Sequence, residues 1–98
     1  MISKEDIDFM GGLFGSRTRI VLLSKLLEEP TESFYLRELS RDLELAFSAV
    51  HREMENLERM GLVLEERRGR ERFFCVNRGS PVARQLRRVF VCCKMERG

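Results

Sequence analysis

Long apolar runs are missing from this sequence. Stretches such as Ile20 to Leu23 are short beside the roughly 20 residues a membrane-spanning helix needs. The first residues show no basic, apolar and small-residue sequence of a secretory signal, so the cytoplasm is the expected compartment. Cysteine is scarce, with only Cys75, Cys92 and Cys93. That odd count, without a CxxC or a Cys/His pair at zinc-finger spacing, predicts no metal site. On a helix, Cys92 and Cys93 point about 100° apart, a poor start for a shared metal. Buried free thiols in a reducing compartment are expected instead. Histidine occurs once, as His51, with no Ser or Cys nucleophile at a recognisable spacing. Repeats and low-complexity tracts are also lacking.

What is present fits one small folded domain over residues 1–98. Apolar residues make up 43% and charged residues 35%, which suits a soluble, ordered chain. At 98 residues a core can form unaided, although dimerisation commonly adds stability at this size. Net charge is +2, unevenly placed. Residues 1–64 carry 8 basic and 12 acidic side chains, and residues 65–98 carry 10 and 4. That polarity favours a polyanion on the C-terminal part.

Hydrophobic spacing predicts the elements. A short helix is expected in Ser3 to Met10, with Ser3 as cap and Ile7 and Met10 on one edge. A longer helix is expected from Ser16 to Glu28, with Ile20, Leu22, Leu23, Leu26 and Leu27 inward and Pro30 ending it. Phe34-Tyr35 reads as a short extended bridge. Leu36, Leu39 and Leu43 mark a second helix, and Val50, Met54 and Leu57 a third over 47–60, with Gly61 placed for a left-handed cap. The last two, joined by a linker around Glu44 to Ala46, make a helix-turn-helix layout. After Gly61 the period becomes strand-like: residues 62–76 read as a hairpin about Gly69. Ser80-Pro81 opens a final helix over 80–97, with Val82, Leu86, Val89, Phe90 and Cys93 as its stripe. The fold class is therefore mainly α with a small β-hairpin (α+β), a three-helix core plus hairpin and C-terminal helix. The stripe fits either a dimer face or a return onto the same monomer, and the dimer is preferred.

Catalysis finds little support. Asp6 and Asp8, with the LFGSR stretch from Leu13 to Arg17, look like parts of a nucleotidyltransferase site, but no Asp-x-Asp follows the glycine-serine turn. No catalytic residue and no cofactor is expected. Helix-turn-helix chemistry joins more residues. With Val50, Met54 and Leu57 inward, Phe47, Ser48, His51, Arg52 and Glu55 face outward, and Ser48, His51 and Arg52 can meet base edges or phosphates. Arg37 and Arg41 on the preceding helix are within reach of the backbone. Against this, the third helix is slightly acidic, and Glu55 could repel phosphate.

The hairpin adds weight. Arg67, Arg68, Arg70 and Arg72 gather around one turn, where arginines can reach phosphates or a minor groove. If the turn centres on Gly69-Arg70, Arg67 faces Arg72; if on Arg68-Gly69, Glu66 faces Glu71. Like charges so placed destabilise a hairpin unless neighbouring glutamates relieve them. The bland alternative is a solvated turn with internal ion pairs to Glu65, Glu66 and Glu71.

In order, LFGSRTRIVLLSKLL, FYLRELSRDLEL, SAVHREMENLERMGLV and RRGRERFFCVN resemble the ArsR-like winged helix-turn-helix regulators. The resemblance covers residues 13–78, the core of the domain. It implies that residues 47–60 form the recognition helix, residues 62–76 the wing, and the C-terminal helix a homodimer contact. It places the DNA-contacting positions at Ser48, Ala49, His51 and Arg52. The cysteine-containing metal box of some members is absent from LRELSRDLELAF, while Cys92 and Cys93 lie where others place ligands. Ala46-Phe47 replaces their usual Ser-Pro start. The expected function is sequence-specific binding of double-stranded DNA in transcriptional regulation, as a homodimer. The alternative is a winged-helix protein-interaction module with little DNA affinity.

Overall fold

The helices begin and end where local chemistry permits. In the computed structural model, which describes residues 4–5 and 14–97 with side chains as far as residue 93, Ser16 caps helix α1 (Arg17–Glu28). Its hydroxyl accepts from the Arg19 N–H at 3.2 Å. The short N-terminal helix expected over Ser3 to Met10 lies outside the described residues, except for Lys4 and Glu5, which are helical. Leu22, Leu23, Leu26 and Leu27 of α1 are buried as expected. Ile20 is not: it is 36% exposed, and the buried face turns instead onto Arg19.

Strand β1 (Phe34–Tyr35) leads directly into α2 (Leu36–Asp42), and α3 (Phe47–Arg59) follows. The turn between α2 and α3 is held by backbone geometry. Glu44 sits in the left-handed region at φ 54°, the Leu45 N–H donates to the Ser40 carbonyl at 2.9 Å, and the Glu44 N–H donates to Arg41. The Ser40 hydroxyl closes the loop on the Leu45 carbonyl at 2.6 Å. This is the Schellman pattern with a non-glycine at its strained position. The end of α3 repeats it with the expected glycine: Gly61 has φ 78°, and Leu62 N–H donates to the Leu57 carbonyl at 3.0 Å.

Strands β2 (Val63–Arg68) and β3 (Glu71–Val76) form the hairpin. The sheet has a third member, because Phe34 lies opposite Phe74 and Tyr35 opposite Phe73, giving the order β1-β3-β2, antiparallel throughout. Alternation along the strands sends Val63, Phe74 and Val76 into the core, with Leu22, Leu26, Leu39, Val50, Met54 and Leu57 from the helices. Asn77 closes the base of the hairpin onto the end of α3: its side-chain amide donates to the Gly61 carbonyl and its N–H to the Leu62 carbonyl, each at 2.9 Å.

Helix α4 (Pro81–Arg97) starts at Ser80, whose hydroxyl accepts from Ala83 N–H at 3.1 Å. Its apolar stripe divides. Leu86 is buried and Phe90 packs against the monomer's own core, together with Ala83, while Val82, Val89 and Cys93 are exposed. The single stripe expected from sequence therefore serves two directions, since positions 83, 86 and 90 are centred about 70° around the helix from 82, 89 and 93. The expected burial of the thiols also fails: Cys92 and Cys93 are exposed and Cys75 is half-buried, all three free. Among the described residues no helix is long and apolar enough to cross a membrane.

Candidate nucleic-acid interface

The first turns of α3 present Phe47, Ser48 and Arg52 to solvent, with Ala49 and His51 partly covered. No side chain caps the helix at Ala46. An uncapped N-terminus leaves amide donors and the positive end of the helix dipole facing outward, which suits phosphate. Phe47 is not a lone exposed aromatic. The Arg37 guanidinium of α2 lies 5.8 Å from its ring centre, and the His51 ring centre 6.2 Å from it. Arg41 is exposed and turned to Asp42 at 3.2 Å.

The hairpin turn centres on Gly69-Arg70, the register in which Arg67 faces Arg72. Gly69 has φ 65° and Arg70 does not share it, the pattern of a type II′ turn that matches strand twist. Glutamates relieve the arginine pair. Arg72 grips Glu65 with two hydrogen bonds, Nε to Oε1 at 3.0 Å and Nη2 to Oε2 at 3.2 Å. Arg67 reaches the same carboxylate at 3.3 Å, and Arg68 pairs with Glu66 at 3.1 Å. Arg68 also stacks on Phe73 at 4.6 Å, and Arg72 on Phe74 at 5.3 Å. The hydrogen bond from Arg72, with its charge, holds Glu65 below the ordinary carboxylate range, and Arg68 does the same to Glu66. The internal ion pairs weighed from sequence are thus present for Glu65 and Glu66. Arg70, at the tip, has no ion-pair partner among the described residues.

Helix and hairpin meet around a cleft of about 310 Å³. Tyr35, Leu36, Arg37, Phe47 and His51 line it from β1 and the helices, and Arg70, Glu71 and Arg72 from the hairpin. Five of the residues singled out from sequence are thereby brought together. Ser48, Ala49 and Arg52 stand on the same turns of α3 but not in the cleft, and Arg41, Arg67 and Arg68 lie outside it. Glu55, suspected of repelling phosphate, faces Arg72 at 3.8 Å and His51 at 3.6 Å, so its charge is met locally.

Sequence reasoning missed Glu53. It is buried beneath α3 and receives Arg19 from α1, with Nε at 2.6 Å and Nη2 at 2.5 Å from the same carboxylate oxygen. The signal was readable, since Glu53 shares the inward face with Val50, Met54 and Leu57, and Arg19 shares that of Leu22 and Leu26. Among the described residues no group of three His, Cys, Asp or Glu side chains could hold a metal ion.

No protein-family model and no curated protein matches the sequence. Solved structures do. The transcriptional repressor BigR from Xylella fastidiosa aligns with a TM-score of 0.71 and 19% identity, over 91% of this chain and 85% of its own. The transcriptional regulator HlyU from Vibrio vulnificus gives 0.72 at 17% identity over 91% and 86%. The antimony-specific transcriptional repressor AntR gives 0.74 at 16% identity over 98% and 86%. Agreement over nearly whole chains, at identities this low, is agreement of fold. With its helix pair, its three-stranded sheet and its arginine-tipped hairpin, the chain has the winged helix-turn-helix fold.

Proposed function

We propose that this chain is an ArsR-like transcriptional regulator that binds duplex DNA and performs no catalysis. The observation that carries the reading is the cleft in which Arg37, Phe47 and His51 face Arg70 and Arg72. Helix-turn-helix residues and wing residues point into one groove, and the similar structures include named transcriptional repressors and regulators. In this reading α3 enters the major groove, where Ser48, His51 and Arg52 read base edges. The wing lies on the backbone or in the minor groove, with Arg70 as the cation that has no ion-pair partner among the described residues. Arg67, Arg68 and Arg72 are held in place by glutamates and shape the wing rather than supplying three further free charges. Arg37 and Arg41 support the backbone contact, and the cytoplasm is where such a protein meets its target.

A second copy fits the exposed stripe Val82, Val89 and Cys93 of α4, while Leu86 and Phe90 stay with their own core. Two recognition helices in a symmetric dimer would read a two-fold symmetric site. Sedimentation tests this part: a dimer is expected, and a monomer at high concentration would overturn it. Fluorescence anisotropy of a labelled mixed-sequence duplex at low salt tests the DNA contact. Binding that weakens as salt rises is expected, and no binding at any protein concentration would leave the protein-interaction alternative.

A further inference from the structure

At the end of the sheet away from the wing turn lies a second cleft, of about 600 Å³. Val76 lines it, at the base of the hairpin, so the six-residue strands separate it from Gly69-Arg70 by roughly 17–20 Å. Leu27 of α1, Val76 of β3 and Ala83 of α4 give it an apolar floor. Arg78, Arg84 and Arg87 stand around that floor, and among the described residues no carboxylate lines it. This is the reverse of the wing, where Arg67, Arg68 and Arg72 are each matched to a glutamate. Arg87 is held in place by its Nε, which donates to the Leu27 carbonyl at 3.2 Å. Arg84 belongs to the first turn of α4, whose positive dipole end adds to the field.

Three guanidinium groups around one cleft repel each other, a cost that the Arg87 hydrogen bond to the Leu27 carbonyl offsets for one of them. Their fork geometry matches carboxylate and phosphate oxygens. We propose that this cleft binds a small organic anion, a phosphate ester or carboxylate, with its charged head among Arg78, Arg84 and Arg87 and its apolar body on Leu27, Val76 and Ala83. The ligand bridges α1, the base of the wing and α4. The site is separate from the groove assigned to DNA, and it stands or falls independently of that assignment.

Calorimetric titration of the full chain with phenyl phosphate, benzoate and inorganic phosphate tests it. Saturable binding of phenyl phosphate or benzoate is expected, and the tighter of the two names the head group. Phenyl phosphate should bind more tightly than inorganic phosphate because of the apolar floor. Arg78→Ala and Arg84→Ala, both at exposed positions, should each weaken binding roughly tenfold with little change in Tm. Arg70→Ala, at the opposite end of the sheet, should leave it unchanged. Absence of saturable binding, equal affinity for inorganic and phenyl phosphate, or equal loss in Arg70→Ala would each overturn the proposal.

Discussion

Replacing Glu53 by leucine removes one partner of a buried ion pair and leaves the other where water cannot reach it. The Arg19 and Glu53 side chains are only 10% and 6% exposed. Uncompensated burial of a guanidinium costs about 3–5 kcal/mol, a large share of the roughly 5–15 kcal/mol that stabilises a domain. At about 4–8 °C per kcal/mol for a chain of this length, Tm should fall by more than about 12 °C. The double variant Arg19→Leu/Glu53→Leu removes both charges and their desolvation together. It should return to within about 1 kcal/mol of the parent, since apolar side chains of similar size often replace buried pairs without loss. Urea unfolding followed by circular dichroism, at one protein concentration, measures all three steps. A single variant that loses less than about 1 kcal/mol would refute the argument, because Arg19 would then have found water or another partner. The pair also fixes α3 against α1, so the single variant should lose DNA affinity beyond its loss of folded protein.

Further predictions concern the wing, the turns and the groove. Glu65 is held below the ordinary carboxylate range by Arg72. A depressed folded value means that this contact contributes above the unfolded pKa and is lost as pH falls through the folded one. NMR titration should show the Glu65 carboxyl protonating below the usual glutamate range, and Arg72→Ala should move it back up. Glu44→Gly relieves a left-handed non-glycine residue at φ 54° and should be neutral or stabilising by up to about 1 kcal/mol in the same unfolding assay. Gly61→Ala, at φ 78°, should cost about 1 kcal/mol for the reverse reason. Arg70→Ala should weaken binding to all duplexes alike and reduce the salt slope by about 1, whereas Arg52→Ala should relax preference at one base position by about 1–3 kcal/mol.

Elements were legible in the sequence wherever one physical signal ruled them. Ser16, Gly61, Gly69 and the Ser80-Pro81 pair set ends and turns by backbone chemistry that needs no tertiary partner. Less legible were features decided by what lies across the core. Ile20 looked inward by spacing, yet it is 36% exposed, and at that end of α1 the buried position belongs to Arg19, paired with Glu53. The stripe on α4 was continuous in sequence, but the core takes only Leu86 and Phe90 from it, and Ala83 completes that face. In the wing both registers set like charges opposite each other, so sequence could not choose. The two-pronged Arg72–Glu65 contact and the free φ of Gly69 accompany the register adopted. The groove was half legible. Phe47 and His51 were visible as outward positions, but their meeting with Arg37, Arg70 and Arg72 depends on how β3 pairs with β1.

Selection from a random duplex pool at low salt, with the full chain immobilised and the retained DNA sequenced, tests the DNA assignment most directly. Enrichment of one motif with two-fold symmetry, half-sites about one helical turn apart, is expected, with loss of that enrichment in Arg52→Ala. Retention of no duplex, by a chain shown to be folded, would contradict the assignment.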